Sequence, residues 1–253
     1  MRLGLFFVTY VLALSAVKDF LCCVPQSFEG SFQGFQREFQ RRHDGEGTAL
    51  DLVKMVTETF PCFRDEVYFE GRKGGPNKSC PSSLSLNLRT VCFWKRAQIL
   101  VAEMWAAFYP KSTSTPHPLF PGRRGADIGQ LTMFADYRVP QILHHLRILT
   151  YTPTLIRKLV AKTPFPPGSA DELSLRAASI VAVERVRTEI LRLIREEEGG
   201  DSENVVESGV VSSVLIDFYL WDLAQKVERG EEKVEGLQTS DVVPIHRTRS
   251  IWY

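Results

Sequence analysis

A chain of 253 residues with 44% hydrophobic and 11% aromatic residues holds enough apolar material for one core, and its 24% charged residues are ordinary for a globular protein. Its 31 Lys and Arg stand against 30 Asp and Glu, which excludes a global field that would draw the chain onto nucleic acid or an anionic membrane. The five cysteines (Cys22, Cys23, Cys62, Cys80, Cys92) are odd in number and lack C-x-x-C spacing, so they argue for reduced thiols over a disulfide framework or a thiolate metal site.

The chain opens with "MRLGLFFVTYVLALSAVKDF", an Arg followed by an apolar run from Leu3 to Leu14 and a small-residue step at Ala13 to Ser15. This resembles a secretory signal and is too short to span a bilayer. In "TALDLVKMVTETFP", Leu50, Val53, Val56 and Phe60 recur at helical spacing after a Thr48 cap, and Pro61 ends the pattern. "TVCFWKRAQILVAEMWAAFYP" repeats it with Phe93, Ala97, Leu100, Met104 and Phe108, which predicts a helix over 90–109 stopped by Pro110. "VPQILHHLRIL" predicts a helix with Pro140 in its first turn and Ile142, Leu143, Leu146 and Leu149 on one face. The longest helix is expected in "ELSLRAASIVAVERVRTEILRLIREEE", with Ile180, Val183, Val186, Ile190 and Ile194 as its stripe. "SSVLIDFYLWDLAQKVE" predicts a last helix from a Ser cap to about Val227.

Segments 69–89 and 109–127 are rich in Gly, Pro and Ser and read as loops, and 199–209 as an acidic connector. Neither loop shows sustained strand alternation, so the fold class is mostly α. No phosphate-cradling glycine loop, H-E-x-x-H or G-x-S-x-G occurs, which argues against a bound metal or a nucleotide cofactor. His144 and His145 are adjacent on a helix, with side chains about 100° apart, and one metal can hardly take both.

What remains is a set of acids in apolar helices: Asp136 in "MFADYRVP", and Asp217 and Asp222 in "VLIDFYLWDLA". A buried carboxylate costs several kcal/mol unless something pairs with it, so each either caps a helix, pairs with Arg138, Lys95 or Arg96, or serves a ligand. Asp217 and Asp222 lie roughly 140° apart around a helix and cannot face one point squarely, yet they can flank a ligand beside Phe218 or Trp221.

The blocks "FWKRAQILVAEMW", "TMFADYRVPQIL", "LIDFYLWDLA" and "PIHRTRSIWY", in this order, resemble those of the queuosine salvage family, the queuosine 5′-phosphate N-glycosylase/hydrolases, from about Ser31 to Tyr253. The resemblance implies a helical fold similar to DNA glycosylases without their helix-hairpin-helix element. It implies hydrolysis of the N-glycosidic bond of queuosine 5′-phosphate, releasing queuine for reuse in tRNA, in the cytoplasm, by a monomer with a small nucleotide as ligand, no cofactor and no direct nucleic-acid or membrane partner. The family's catalytic aspartate falls on Asp136, and substrate contacts fall on Phe134, Asp217, Phe218 and Asp222. Where relatives usually carry Tyr, this chain has Phe218. Relatives also have an N-terminal portion that contributes a pocket histidine without counterpart here, and a shorter connection at "GGPNKSCPSSLSLNLR". Residues 1–24 are accordingly taken as a signal-like or artefactual leader, and 25–253 as the C-terminal part of the family's domain. Two other readings stand beside this: a non-catalytic, truncated helical module that binds a nucleotide, and a secreted helical protein whose signal ends near Ser15.

Overall fold

The computed structural model describes residue 28 and residues 30–70, 88–110, 115–122, 128–197, 211–231 and 236–253; the leader and most of the 74–89 insertion lie outside the described residues. Seven α-helices, a single 3-10 turn (Pro61–Phe63) and one two-stranded sheet make up the regular structure among them. The helices are α1 (Phe32–Arg42), α2 (Ala49–Thr59), α3 (Lys95–Ala107), α4 (Arg138–His145), α5 (Pro153–Val160), α6 (Ala170–Glu197) and α7 (Ser213–Glu228). The fold is mostly α, as the spacing implies. None of the described helices is long and apolar enough to cross a membrane.

The caps follow from local chemistry. Thr48 and Asp51 form a capping box at α2, each side chain meeting the other's backbone N–H. The Ser212 hydroxyl accepts from Leu215 at the start of α7, and the Thr152 hydroxyl from Leu155 at α5. Helices α1 and α5 carry no element in the sequence reading. In α1 the stripe is short, with only Gly34, Phe35 and Phe39 buried, and only Leu159 is buried in α5.

Two expectations are corrected. The helix anticipated over 90–109 starts only at Lys95, because residues 88–92 form β2 (Leu88–Cys92), which pairs antiparallel with β1 (Glu66–Glu70), Glu66 opposite Cys92. Part of the segment read as loop is therefore strand. Pairing satisfies these backbone groups through a partner distant in sequence, which a search for local alternation does not register. The helix after Pro140 likewise closes at His145, with Leu146 as its C-cap, and Arg147 takes a left-handed φ of 60°.

Three clusters fill the interior. The first joins α1, α2 and α3 through Phe35, Phe39, Val53, Phe60, Leu100 and Phe120, and reaches Phe134 and Val214. The second packs α4 and α6 against α7 through Ile142, Leu143, Val183, Leu220 and Leu223. The third seats Val243 of the C-terminal segment against Tyr151, Leu159, Phe165 and Leu175. Each fully buried side chain of this size contributes about 1.5–3 kcal/mol. The segment carrying Phe134 and Asp136 runs between the first two clusters, with Phe134 in one and Met133, Ala135 and Val139 in the other.

Candidate active site

Asp136 lies where an irregular segment turns into α4. Its Oδ1 accepts the N–H groups of Arg138 at 3.0 Å and Val139 at 2.9 Å, so it caps the helix and faces the positive end of its dipole. Both bonds use one oxygen, leaving the other outside the cap. Burial raises the Asp136 carboxyl above the usual carboxylate range, against the pull of Lys95, the two N–H groups and Arg138.

Asp217 projects from α7 and is 4% exposed, and its Oδ1 is buried without a hydrogen-bond partner among the described residues. Burial pushes its carboxyl well above the ordinary range; the charge of Asp136 pushes the same way, while the Phe134 backbone N–H and Lys95 oppose it. Two buried acids that repel one another cannot both ionise easily. Asp136 has the cap and the stronger hold on Lys95, so of the two it gives up its proton more readily, and Asp217 holds its proton the more tightly.

Lys95 completes the group. It is 8% exposed at the first position of α3, where its charge meets the positive end of the helix dipole. Burial lowers the ammonium's pKa and Arg176 lowers it further, while Asp136, Asp65 and Asp217 hold the proton on. The preceding Trp94 has a left-handed φ of 48°, a strained state for a bulky residue, and its indole N–H donates to Glu66 at 3.0 Å. That bend converts β2 into α3 within two residues and sets where Lys95 emerges.

The predicted aromatic pair also meets. Phe134 and Phe218 pack edge to face with ring centroids 5.7 Å apart. Asp222 does not join the two acids; it is half-exposed and pairs with Lys226 one helical turn on, at 3.0 Å. Trp221 lies under Arg138, whose guanidinium carbon stands 5.9 Å from the ring and which pairs with Glu228 at 2.6 Å. His144 and His145 hydrogen-bond to different carbonyls, those of Leu149 and Ser240. Among the described residues no group of His, Cys, Asp and Glu is placed to hold a metal ion.

Sequence reasoning gave no role to the support behind this site. Arg176 of α6, 1% exposed, forks onto both oxygens of Asp65, contacts Glu172 at 3.3 Å and donates to the Ala135 carbonyl at 3.1 Å. Asp65 in turn accepts the Lys95 backbone N–H at 3.3 Å. The signal was available in part: Lys95 stands inside one quoted block, and Tyr253 and His246 inside another.

Residues 13–253 match a family described as queuosine salvage protein. The chain is similar to the queuosine 5′-phosphate N-glycosylase/hydrolase of Mus musculus, at 33% identity over 228 residues, covering 90% of this chain and 53% of the relative. It is also similar to the proteins of that name from Nematostella vectensis, at 36% over 203 residues (80% and 48%), and from Schizosaccharomyces pombe, at 32% over 228 residues (90% and 52%). The chain thus spans about half the length of these relatives, and the match runs through both segments that carry the buried acids. With the family match running from residue 13 to residue 253, the chain belongs to the queuosine salvage protein family.

Proposed function

We propose that this chain takes part in hydrolysing the N-glycosidic bond of queuosine 5′-phosphate, releasing queuine for salvage into tRNA. The observation that carries the reading is the pair of buried acids, Asp136 capped by two N–H groups and Asp217 with one oxygen lacking a partner among the described residues, beside an edge-to-face aromatic pair. The names of the relatives supply the substrate.

Breaking the bond between ribose C1′ and the base nitrogen builds positive charge on the sugar. The Asp136 carboxylate, fixed by two N–H bonds before substrate arrives, faces that charge without having to reorganise. Asp217 holds its proton tightly and has one oxygen without a partner among the described residues, which suits it to a hydrogen bond with the base. Phe134 and Phe218 offer an aromatic wall. Water adds its hydroxide to C1′ and its proton ends on the departing base, so atoms balance. Asp222 contacts the outer part of the ligand, exchanging or sharing its Lys226 partner. The ligand is a small nucleotide and the near-zero net charge supports no nucleic-acid surface.

We also infer that the helical fold is of the DNA-glycosylase kind without the helix-hairpin-helix, that 25–253 is one unit behind a leader at 1–24, and that the protein is a cytoplasmic monomer. Incubating the full chain with queuosine 5′-phosphate and detecting free queuine by mass spectrometry tests the central reading. Release that depends on Asp136 supports it; no release at any enzyme concentration overturns it.

A further inference from the structure

Asp136 is held from the front by the α4 N–H groups. The carbonyl of Ala135, one peptide earlier, is held from behind by Arg176 Nε at 3.1 Å. Arg176 is itself fixed by Asp65 and Glu172 and by the Phe93 ring, 3.9 Å from its guanidinium carbon. Tyr253 closes this assembly. Its hydroxyl lies 2.7 Å from Glu172 Oε1 and 3.1 Å from His246 Nε2. The hydroxyl has a single proton and gives it to the carboxylate, so the network assigns the His246 proton to Nε2.

The ring of Tyr253 does separate work. One ring serves two cations, with Lys95 Nζ 5.2 Å and the Arg176 guanidinium carbon 5.4 Å from its centroid. It also stacks on Tyr137, the residue next to Asp136, at 6.4 Å. Hydroxyl and ring therefore reach the same acid by two routes: one through Arg176 on the Ala135 peptide, the other at Lys95, whose charge favours the Asp136 carboxylate.

We propose that Tyr253 is a positioning residue for the Asp136 site, its hydroxyl bridging His246 to Glu172 to lock Arg176 against the Ala135 carbonyl, and its ring seating the Lys95 ammonium beside the acids. This rests on the reading of Asp136 given above. Tyr253→Phe keeps the ring and leaves the His246 N–H without its acceptor and Glu172 without one donor. Tyr253→Leu removes both functions.

The test compares the full wild-type chain with Tyr253→Phe, Tyr253→Leu and, as a control of the same chemistry, Tyr219→Phe at a 57% exposed position on α7. Queuine release gives kcat and KM, and hydrogen exchange by NMR is followed at the Arg138 and Val139 amides, which donate to Asp136, and at Val53 and Val56 in the α2 core. Tyr253→Phe is expected to lower kcat about tenfold with KM within about twofold, since slight misplacement of a reacting group is costly. Exchange should quicken at Arg138 and Val139 and hold steady at Val53 and Val56. Tyr253→Leu should lose about a further tenfold, and Tyr219→Phe should match wild type. A Tyr253→Phe kcat within about twofold of wild type, or equal quickening at all four amides, overturns the proposal. If the wild-type chain releases no queuine, the functional reading fails alone, and unchanged exchange at Arg138 and Val139 in Tyr253→Phe then overturns the positioning role as well.

Discussion

Arg176 and Lys95 are both buried cations near the same acids, yet they are completed differently. Arg176 spends its fork on Asp65, Glu172 and a carbonyl, with an aromatic ring on its face. Lys95 is surrounded by charge but held mainly at a distance, by Asp136 before Asp65 and Asp217, and one oxygen of Asp217 has no partner among the described residues. A cluster whose donors and acceptors are matched is expensive to break and chemically quiet. An incompletely matched one keeps capacity for a ligand.

The largest expected effect tests the matched side. Arg176→Met leaves Asp65 and Glu172 buried without their cation and should cost about 3–5 kcal/mol in urea unfolding. A loss below about 1 kcal/mol would erase the contrast between the two clusters. On the other side, Asp136→Asn retains an oxygen for the α4 cap, so stability should hold within about 1 kcal/mol while queuine release falls about a hundredfold or more, roughly 2.7 kcal/mol. Equal losses of stability and turnover would make Asp136 a cap and nothing else.

Recognition comes next in size. Asp217→Ala should weaken binding of queuosine 5′-phosphate by about 1–3 kcal/mol in calorimetry, because it removes a buried hydrogen-bonding group. Asp222→Ala, half-exposed and paired with Lys226, should weaken binding by about 1 kcal/mol and change folding stability by less than about 0.5 kcal/mol. If Asp222→Ala unfolds the protein, its assignment as a ligand contact is lost.

The last prediction concerns pH. Burial alone raises the Glu103 carboxyl from 4.5 to about 8, and its Oε2 is buried without a partner among the described residues. The folded state therefore holds this proton more tightly than the unfolded chain, so stability is fully present below about 4.5 and is lost as pH climbs towards 8. His246, lowered from 6.5 to about 4 chiefly by burial, acts in the opposite sense and removes stability as pH falls through that window. Between pH 6.5 and 8 the urea midpoint should decline, and Glu103→Gln should flatten the decline. A midpoint that rises over this interval in the wild-type chain would show that Glu103 is ionised in the fold.

The acids of the site were legible because they are anomalies. Asp136 and Asp217 interrupt apolar runs, and an interruption of that kind asks for a partner or a purpose; the structure supplies a cap for the first and, among the described residues, no partner for one oxygen of the second. Arg176 was illegible for the opposite reason. It sits in α6 among Glu172, Glu184, Arg185 and Arg187, where one more charge is unremarkable, and the apolar stripe drew attention to Val186 and Ile190 rather than to the buried face holding Glu172, Arg176 and Ser179. The hairpin 66–70 and 88–92 was missed because its pairing satisfies backbone groups across a long connection.

By itself the sequence determined much of the local structure: the periods of the longer helices, the caps at Thr48 and Ser212, and the odd acids in apolar runs. These depend on hydrogen bonds and side-chain spacing within about four residues, which the order of residues fixes directly. Only the tertiary structure decided which acid holds its proton more tightly and which cation is spent on support. Asp65 and Arg176 meet across 111 residues, Tyr253 and Glu172 across 81, and the proton balance of Asp136 and Asp217 follows from burial and from neighbours brought in along α3, α6 and the C-terminal segment. Charge in a protein interior is governed by what surrounds it in space, and that is settled by packing rather than by order along the chain.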